Sequence, residues 1–205
     1  MRTSTTLVPS PAALRAAALS AFGLLALVVL TLPALPADAG ELKGVTLPDS
    51  VQAGDQDLQL NGMALRKAMG FVKVYVAGLY LPTKQTDAEK VLGADTARRM
   101  VMHWLRDVGE DSICEAWMEG LENNTESPSA ELRADFDTLC EWTGDAKNDT
   151  EYVFTYIPGE GTTVEVAGES KGTLEGKAFA DALFAAWIGP NPGPGQGFKK
   201  DLMGG

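Results

Sequence analysis

A run of alternating polar and apolar residues, followed by a mostly apolar run, predicts a β-hairpin in the first half of the chain. Residues 58–66 alternate in polarity as a strand does. Arg66 has the same parity as three apolar residues of this run, Leu58, Leu60 and Ala64, and would share their face if the strand is unbulged. Asn61-Gly62 is a candidate bulge within the run. Residues 71–81 are rich in β-branched and aromatic side chains and end at Pro82, which cannot continue a hydrogen-bonded ladder. A short turn at 68–70 therefore joins two antiparallel strands.

The remaining pattern predicts further strands and four helices. Apolar residues recur at helical spacing in 111–123 and 130–142, which indicates two consecutive helices joined by a short loop, and again in 177–188. The other predicted elements are a helix at 86–92 and strands at 44–47, 99–105, 151–157, 162–166 and 171–174. Strands, a helical hairpin, more strands and a closing helix indicate an α+β domain with helices packed on one face of the sheet.

The first 39 residues predict a secretory signal peptide. Basic residues come first, residues 16–37 carry no charge, and Ala37-Asp38-Ala39 provides small residues at the two positions that define a cleavage site. Cleavage before Gly40 would leave a single domain, periplasmic or secreted, with no membrane span. The alternative is an uncleaved membrane anchor, because the apolar segment is long enough to span a bilayer as a helix.

Composition and charge exclude several classes of protein. The chain is 45% hydrophobic and 22% charged, which excludes a disordered polymer and a multi-span membrane protein. Its net charge is −11, whereas a nucleic-acid binder needs a basic face. One histidine, His103, and two cysteines are too few for a Cys/His metal site, so we expect neither a metal nor a cofactor. His103 is expected to be satisfied by one hydrogen bond in or beside the core.

The two cysteines are placed to form a disulfide. Cys114 and Cys140 lie at equal sequence distance from Ser127, the centre of the loop between the two consecutive predicted helices. Residues equidistant from the turn of a helical hairpin lie at the same height, and both cysteines border the apolar stripes, so their Cα atoms can approach closely. Export would place them in an oxidising compartment. We therefore predict a Cys114–Cys140 disulfide; the alternative is two buried free thiols.

Arg66 is the candidate ligand-binding residue. A guanidinium on the apolar side of a strand cannot lose its charge and must meet an anion or several acceptors. Tyr75 lies on the partner strand and has a phenol that can donate to the same anion. A two-residue turn at Ala68-Met69 would place both side chains on one face, and a three-residue turn would separate them. The alternative for Arg66 is an internal bridge to a carboxylate.

Two segments of the hairpin resemble the chalcone isomerase-like family. These are the Gly62-x-x-x-Arg66 segment and the strand at 71–81, with its V-K-V-Y-x-x-G-x-Y-L pattern. Weaker similarity continues through residues 185–189 and 199–203, so the resemblance covers the chain after the predicted signal peptide. It implies an open-faced β-sandwich, in which helices cover one face of a large antiparallel sheet and a ligand cleft lies between sheet and helices.

The resemblance also implies roles for two residues. In that family an arginine corresponding to Arg66 faces the cleft, and in the plant isomerases it helps to hold a nascent phenolate. In fatty-acid-binding members, an arginine and a tyrosine placed like Arg66 and Tyr75 hold a carboxylate. The isomerases have a threonine where Tyr75 stands, and a tyrosine near the start of the long helix where this chain has residues 111–114. The resemblance thus favours carboxylate binding over isomerisation.

Three hypotheses follow for the function. The first is an exported protein that binds a fatty acid or similar amphipathic carboxylate through Arg66 and Tyr75. The ligand tail would lie among residues such as Phe71, Val74, Trp117 and Phe184. The second is an isomerase of the intramolecular lyase type that acts on an unsaturated or phenolic substrate, with Arg66 stabilising an oxyanion. The third is a structural module without a ligand.

Overall fold

The computed structural model describes Met1 and residues 39–205, so the predicted signal peptide and its anchor alternative lie outside the described residues. The elements are β1 (Ala39–Leu42), β2 (Val45–Pro48), β3 (Ser50–Ala53), β4 (Gln56–Ala68), β5 (Val72–Leu81), α1 (Ala88–Gly93), β6 (Arg98–Trp104), α2 (Glu110–Asn124), α3 (Ala130–Thr143), β7 (Glu151–Ile157), β8 (Gly161–Val166), β9 (Glu169–Leu174), α4 (Lys177–Ile188) and α5 (Gln196–Leu202). Within this part of the chain, no helix is both long and apolar enough to cross a membrane.

Strands β3 to β9 form one antiparallel sheet in which each strand pairs with its neighbours in sequence. Helices α2, α3 and α4 cover one face, and their buried side chains form the larger core with that face. The ribbon of β1 and β2 packs on the opposite face, where Val45 and Leu47 join a second, smaller core. The predicted α+β class and the packing of helices on one face of an antiparallel sheet are confirmed.

A β-bulge in β4 changes which face its side chains occupy. The pairing with β5 shifts between Leu60 and Gly62, so that Asn61 is the extra residue. Leu58 and Leu60 therefore belong to the smaller core, whereas Ala64 belongs to the helix-side core. The common face expected of an unbulged strand is wrong, and the candidate bulge at Asn61-Gly62 is present, because one inserted residue reverses the alternation.

The same bulge fixes the end of the chain against the sheet. The Asn61 side-chain amide donates to the backbone oxygens of Leu202 at 2.8 Å and Gln85 at 2.9 Å. Gly62 is required by close approach, because a Cβ there would lie 2.3 Å from the backbone oxygen of Asp201. Helix α5, which the sequence pattern did not predict, is thereby held against β4.

The loop between β4 and β5 has three residues, with Ala68 paired to Val72. A three-residue loop alone would place Arg66 and Tyr75 on opposite faces. A second register shift, between Arg66 and Lys67, leaves Val74 as an extra residue in β5 and restores the alternation. Arg66 and Tyr75 are therefore direct cross-strand partners on one face.

Helices α2 and α3 form the predicted antiparallel pair. The structure contains the predicted disulfide between Cys114 and Cys140, whose Cα atoms are 4.9 Å apart. On its other side α2 packs closely on α4, where a Cβ at Gly120 would lie 2.6 Å from that of Ala186. Helix α2 is thus fixed by a covalent bond on one side and by close packing on the other.

Candidate ligand cavity

Three polar side chains form a row across neighbouring strands. Arg66 on β4 is directly opposite Tyr75 on β5, and Tyr75 is directly opposite Trp104 on β6. Direct cross-strand partners project to the same face of a sheet. Tyr75 and Trp104 are buried in the helix-side core, so the row lies under the helices. We call these three residues the donor row.

The donor row borders a cavity of about 200 Å³ between the sheet and helices α2 and α4. Most of its lining is apolar, from Val74, Met102, Val108, Ile113, Trp117 and Trp187. Exposed residues of α2, among them Ser112 and Glu119, lie at its opening, and Pro194 lies beside Arg66. A mostly apolar cavity with a few convergent polar groups is typical of small-molecule sites.

Arg66 has little of its hydrogen-bonding capacity used. It is half-buried, and its Nη1 donates to the backbone oxygen of Pro194 over a long 3.4 Å. Among residues 39–205 it makes no other side-chain hydrogen bond and no ion pair. The internal bridge to a carboxylate, considered as an alternative from the sequence, does not form within this range. Several N–H donors of Arg66 thus remain available at the cavity.

Tyr75 is held as a neutral donor. The indole Nε1 of Trp187 donates to the Tyr75 hydroxyl oxygen at 3.2 Å, which leaves the phenolic proton free to be donated elsewhere. Burial raises the pKa of Tyr75 to about 12, although the Trp187 hydrogen bond and the Arg66 charge both act to lower it. Tyr75 therefore keeps its proton at neutral pH.

Trp104 supplies a third donor that the sequence did not indicate. Its side chain is buried, and its Nε1–H has no acceptor within residues 39–205. Its ring contacts that of Tyr75 edge to face, with centroids 5.2 Å apart. A buried donor without a partner costs free energy, so it is a position at which a ligand oxygen would be favourable.

Comparison with known proteins places the chain in a family. A family model described as chalcone isomerase-like matches residues 39–204. The chain belongs to the chalcone isomerase-like family. The crystal structure of a fatty-acid binding protein from Arabidopsis thaliana has the same fold, with a TM-score of 0.65 and 17% sequence identity, over 81% of this chain and 96% of that one. No curated protein matches the sequence.

The tail-binding residues expected from the sequence divide into two groups. Val74 and Trp117 line the cavity of this chalcone isomerase-like chain, as expected. Phe71 does not, because it lies in the β4–β5 loop with 77% of its surface exposed. Phe184 is fully buried away from the cavity lining. Sequence hydrophobicity alone could not separate these cases, because all four side chains are apolar.

A second arginine shows how this fold satisfies a structural guanidinium. Arg98 is fully buried, forms an ion pair with Asp181 and donates to the backbone oxygen of Val91 at 3.1 Å. The rings of Tyr156 and Phe184 lie 5.0 and 4.9 Å from its central carbon. Arg66 has no ion pair among the described residues and only one long hydrogen bond, to the backbone oxygen of Pro194, so the described residues do not balance its charge.

The other polar groups lie away from the donor row. His103 is partly buried on the opposite face of the sheet, and its Nδ1 is 3.2 Å from a carboxylate oxygen of Glu151, in line with the expected hydrogen bond. A larger depression of about 470 Å³ near Asp87 and Lys200 is wide open and borders none of the donor row. In residues 39–205, no three His, Cys, Asp or Glu side chains are grouped so that they could hold a metal ion.

Alkaline pH is expected to unfold the domain through its tyrosines. The chain has four, Tyr75, Tyr80, Tyr152 and Tyr156, and all are buried. Burial raises the pKa of each above the ordinary 10.0, to about 12 for three of them. Between these values the unfolded chain loses phenolic protons that the folded chain keeps. The tyrosine contribution to the free energy of unfolding should therefore be unchanged below about pH 9 and fall from there towards pH 12.

Urea unfolding at increasing pH measures this effect, and tyrosinate absorbance identifies its origin. We expect tyrosinate to appear only together with loss of the folded circular dichroism spectrum. Full tyrosinate absorbance near pH 10 in a protein that keeps its folded spectrum would contradict the prediction.

Proposed function

We propose that this chalcone isomerase-like protein is exported and binds a fatty acid or a similar amphipathic carboxylate in the cavity beneath α2. The observation that carries the proposal is the donor row, in which each of three side chains keeps at least one N–H or O–H donor without an acceptor among the described residues, at the border of an otherwise apolar cavity. Export is supported by the signal-peptide pattern of residues 1–39.

The three donors fit the chemistry of a carboxylate. Arg66 contributes a charged planar group that can donate two parallel hydrogen bonds, and charge-assisted hydrogen bonds are the strong ones. Tyr75 contributes a neutral O–H, and Trp104 a neutral N–H. A carboxylate would enter this apolar cavity only if its charge were paired and its oxygens were hydrogen-bonded, and these residues supply both. The remaining lining is suited to a hydrocarbon chain.

The size of the cavity limits how much of a ligand it encloses. Its 200 Å³ is below the roughly 300–1,000 Å³ of most small-molecule pockets. We therefore place the carboxylate and the adjacent carbons against the donor row, and let the rest of a long chain pass the opening near Ser112 and Glu119. The fold shared with a fatty-acid binding protein supports this proposal by analogy.

Binding is favoured over the isomerase alternative by the protonation of the cavity groups. A general base must lose its proton near neutral pH, whereas burial holds the pKa of Tyr75 at about 12. The carboxylate nearest the cavity, Glu119, is exposed at the opening. These residues can hold an anion, and they offer no buried base to abstract a proton from one.

Titration with dodecanoate tests the proposal. Three of the four tryptophans line the cavity, so both calorimetry and tryptophan fluorescence report on binding there. We expect Arg66→Ala to weaken dodecanoate binding by about 10- to 150-fold, because a charged hydrogen bond is lost. The dodecanoate affinity of Arg66→Lys should lie between those of the wild type and Arg66→Ala, because lysine keeps the positive charge but cannot donate two parallel hydrogen bonds.

Two controls test whether binding depends on the charge of the ligand carboxylate and on its pairing with Arg66. Lys171→Ala removes one positive charge on β9, five strands away from β4 in the sheet, and should leave the affinity unchanged. Dodecanol has the same chain without the charge, and its affinity should be weak and indifferent to Arg66→Ala. Equal dodecanoate affinities in the wild type and in Arg66→Ala would refute the proposed site.

Trp104→Phe is expected to weaken binding without a loss of stability through the indole N–H. The substitution keeps an aromatic ring and removes the buried N–H that has no acceptor in the described part of the chain. Dodecanoate affinity should fall by about 10-fold or more, because one hydrogen bond to the charged carboxylate is lost. The ligand-free protein should not lose stability through this N–H, because removing an unsatisfied donor removes its desolvation cost. Urea unfolding without ligand and calorimetry with dodecanoate measure the two effects; unchanged affinity would show that Trp104 only fills space.

A further inference from the structure

The loop between β4 and β5 exposes apolar side chains to an unusual degree. Met69 and Phe71 are 78% and 77% exposed, and in residues 39–205 no other large hydrophobic side chain is classed as exposed. They are two residues apart, on either side of Gly70, so they lie together at the end of one hairpin. We call residues 67–73 the hairpin tip. Scattered single exposed apolar residues are ordinary, but a pair isolated at one projecting loop indicates an interaction site.

The backbone of the loop does not account for these side chains. Met69 has φ of 49° and Gly70 has φ of 76°, both in the left-handed region. Positions of this kind in hairpin loops favour Gly, Asn or Asp, which adopt that conformation at little cost. A methionine there is unfavourable for the loop itself and gains no burial in return.

The hairpin tip is also basic in an acidic protein. Lys67 and Lys73 are exposed direct cross-strand partners, and like charges in that arrangement repel each other. Within residues 39–205 neither lysine forms an ion pair. The sequence contains no Asp or Glu between Asp57 and Asp87, although the chain as a whole carries a net charge of −11. The surface complementary in charge to the hairpin tip is therefore an anionic one.

We propose that the hairpin tip docks on an anionic phospholipid surface. Met69 and Phe71 would enter the boundary between headgroups and acyl chains, and the two lysines would lie at the level of the phosphates. Apolar and basic side chains combined in this way are typical of proteins that lie on a membrane without spanning it. A second copy of this chain is also acidic, but outside its own hairpin tip residues 39–205 expose no large apolar side chain on which Met69 and Phe71 could pack.

The hairpin tip lies next to the ligand cavity, so docking would bring the cavity close to the lipid surface. Arg66, Ala68 and Val74, at the base of the tip, all line the cavity. An amphipathic carboxylate leaving the lipid surface would therefore meet Arg66 at the base of the same hairpin. This consequence rests on the proposed function; the docking itself does not, because it depends on residues that do not touch the cavity.

Co-sedimentation with vesicles tests the docking. The full chain should bind vesicles of phosphatidylglycerol and phosphatidylcholine more tightly than vesicles of phosphatidylcholine alone, and rising salt should reduce the difference. Met69→Ser/Phe71→Ser should lower partition at least about 10-fold. Lys67→Ala/Lys73→Ala should lower it about 5-fold for each lysine, and only on anionic vesicles. Residues 1–39 contain an apolar segment that can itself enter a bilayer, so each variant is also compared after cleavage before Gly40, where the difference between variants reports on the tip.

Matched variants and a local probe complete the test. Lys147→Ala/Lys171→Ala removes the same charge outside the tip and should leave partition unchanged. In Phe71→Trp, the introduced tryptophan should be quenched by lipids brominated in their acyl chains. Equal partition of the wild type and Met69→Ser/Phe71→Ser, or no quenching, would overturn the proposal. Dimers that depend on Met69 and Phe71 and form without vesicle binding would also overturn it, in favour of a second copy of the chain.

The docking and the carboxylate site can fail separately. Met69→Ser/Phe71→Ser should keep the wild-type affinity for dodecanoate in solution, because neither side chain lines the cavity. Partition that depends on the tip, in a protein that does not bind dodecanoate, would uphold the docking and refute the proposed function. Dodecanoate binding in a protein that does not partition onto vesicles would uphold the proposed function and refute the docking.

Discussion

Asp181→Ala is expected to lower the free energy of unfolding by about 3 kcal/mol. Asp181 on α4 is the counterion of Arg98, whose side chain is fully buried between the rings of Tyr156 and Phe184. Without the carboxylate, the guanidinium keeps one hydrogen bond to a backbone oxygen and cannot lose its charge. Removing one member of a buried ion pair costs about 3–5 kcal/mol, and the lower value applies because about a third of the Asp181 side chain is exposed. Urea unfolding measures the loss.

Two further variants show whether the buried charge is the cause. Arg98→Met replaces the guanidinium by an apolar chain of similar length and should cost less than Asp181→Ala, and Arg98→Met/Asp181→Ala should recover most of the loss. Lys177 also contacts Asp181 but is partly exposed, so Lys177→Ala should cost less than about 1 kcal/mol. Equal, small effects of Asp181→Ala and Lys177→Ala would contradict the prediction.

Removal of the disulfide is expected to have an effect of similar size. The bond joins Cys114 and Cys140 across a sequence separation of 26 residues. Opening a loop of that length restores conformational entropy to the unfolded chain that corresponds to about 3.5 kcal/mol. Cys114→Ala/Cys140→Ala, or reduction of the wild type, should therefore lower the urea midpoint. Thiol titration of denatured, unreduced protein should find no reactive thiol.

The double variant provides the control for the reductant. Reducing agent should lower the midpoint of the wild type and leave that of Cys114→Ala/Cys140→Ala unchanged. Two reactive thiols per unreduced chain would contradict the disulfide, and a reductant effect on the double variant would show that the loss has another origin.

The helices could be predicted from sequence because their pattern is local. Helices α2, α3 and α4 begin and end within one residue of the positions given by apolar spacing, and the disulfide followed from the symmetry of the α2–α3 pair. Strands β1 and β3 and helix α5 could not be predicted in this way. They are short and contain few apolar residues, and α5 is held by contacts with Asn61 and Gly62, which are distant in sequence.

The candidate site was predicted in part, and not wholly for the right reason. Arg66 shares a face with Ala64 and Tyr75, but the bulge at Asn61 places Leu58 and Leu60 on the other face. Asn61-Gly62 marked a candidate bulge in the sequence, but alternation alone did not decide whether an extra residue is inserted there, and so the face of Arg66 stayed open.

Trp104 could not be recognised from sequence. It ends a strand that is apolar on both faces, so alternation does not show which side chains turn towards the helices. Its place in the donor row is decided by its pairing with Tyr75, which requires the register between β5 and β6.

Strand β4 contributes to both cores of the domain. Leu58 and Leu60, before its bulge, pack with Val45 and Leu47 on the outer face, and Ala64, after it, packs beneath the helices. If either part of β4 separates from its core, the hydrogen bonds to β5 that align the other part are also broken. Melting of the outer ribbon and melting of the helical layer are therefore coupled, and the domain should unfold as one cooperative unit, with the cavity lost at the same denaturant concentration as the outer core.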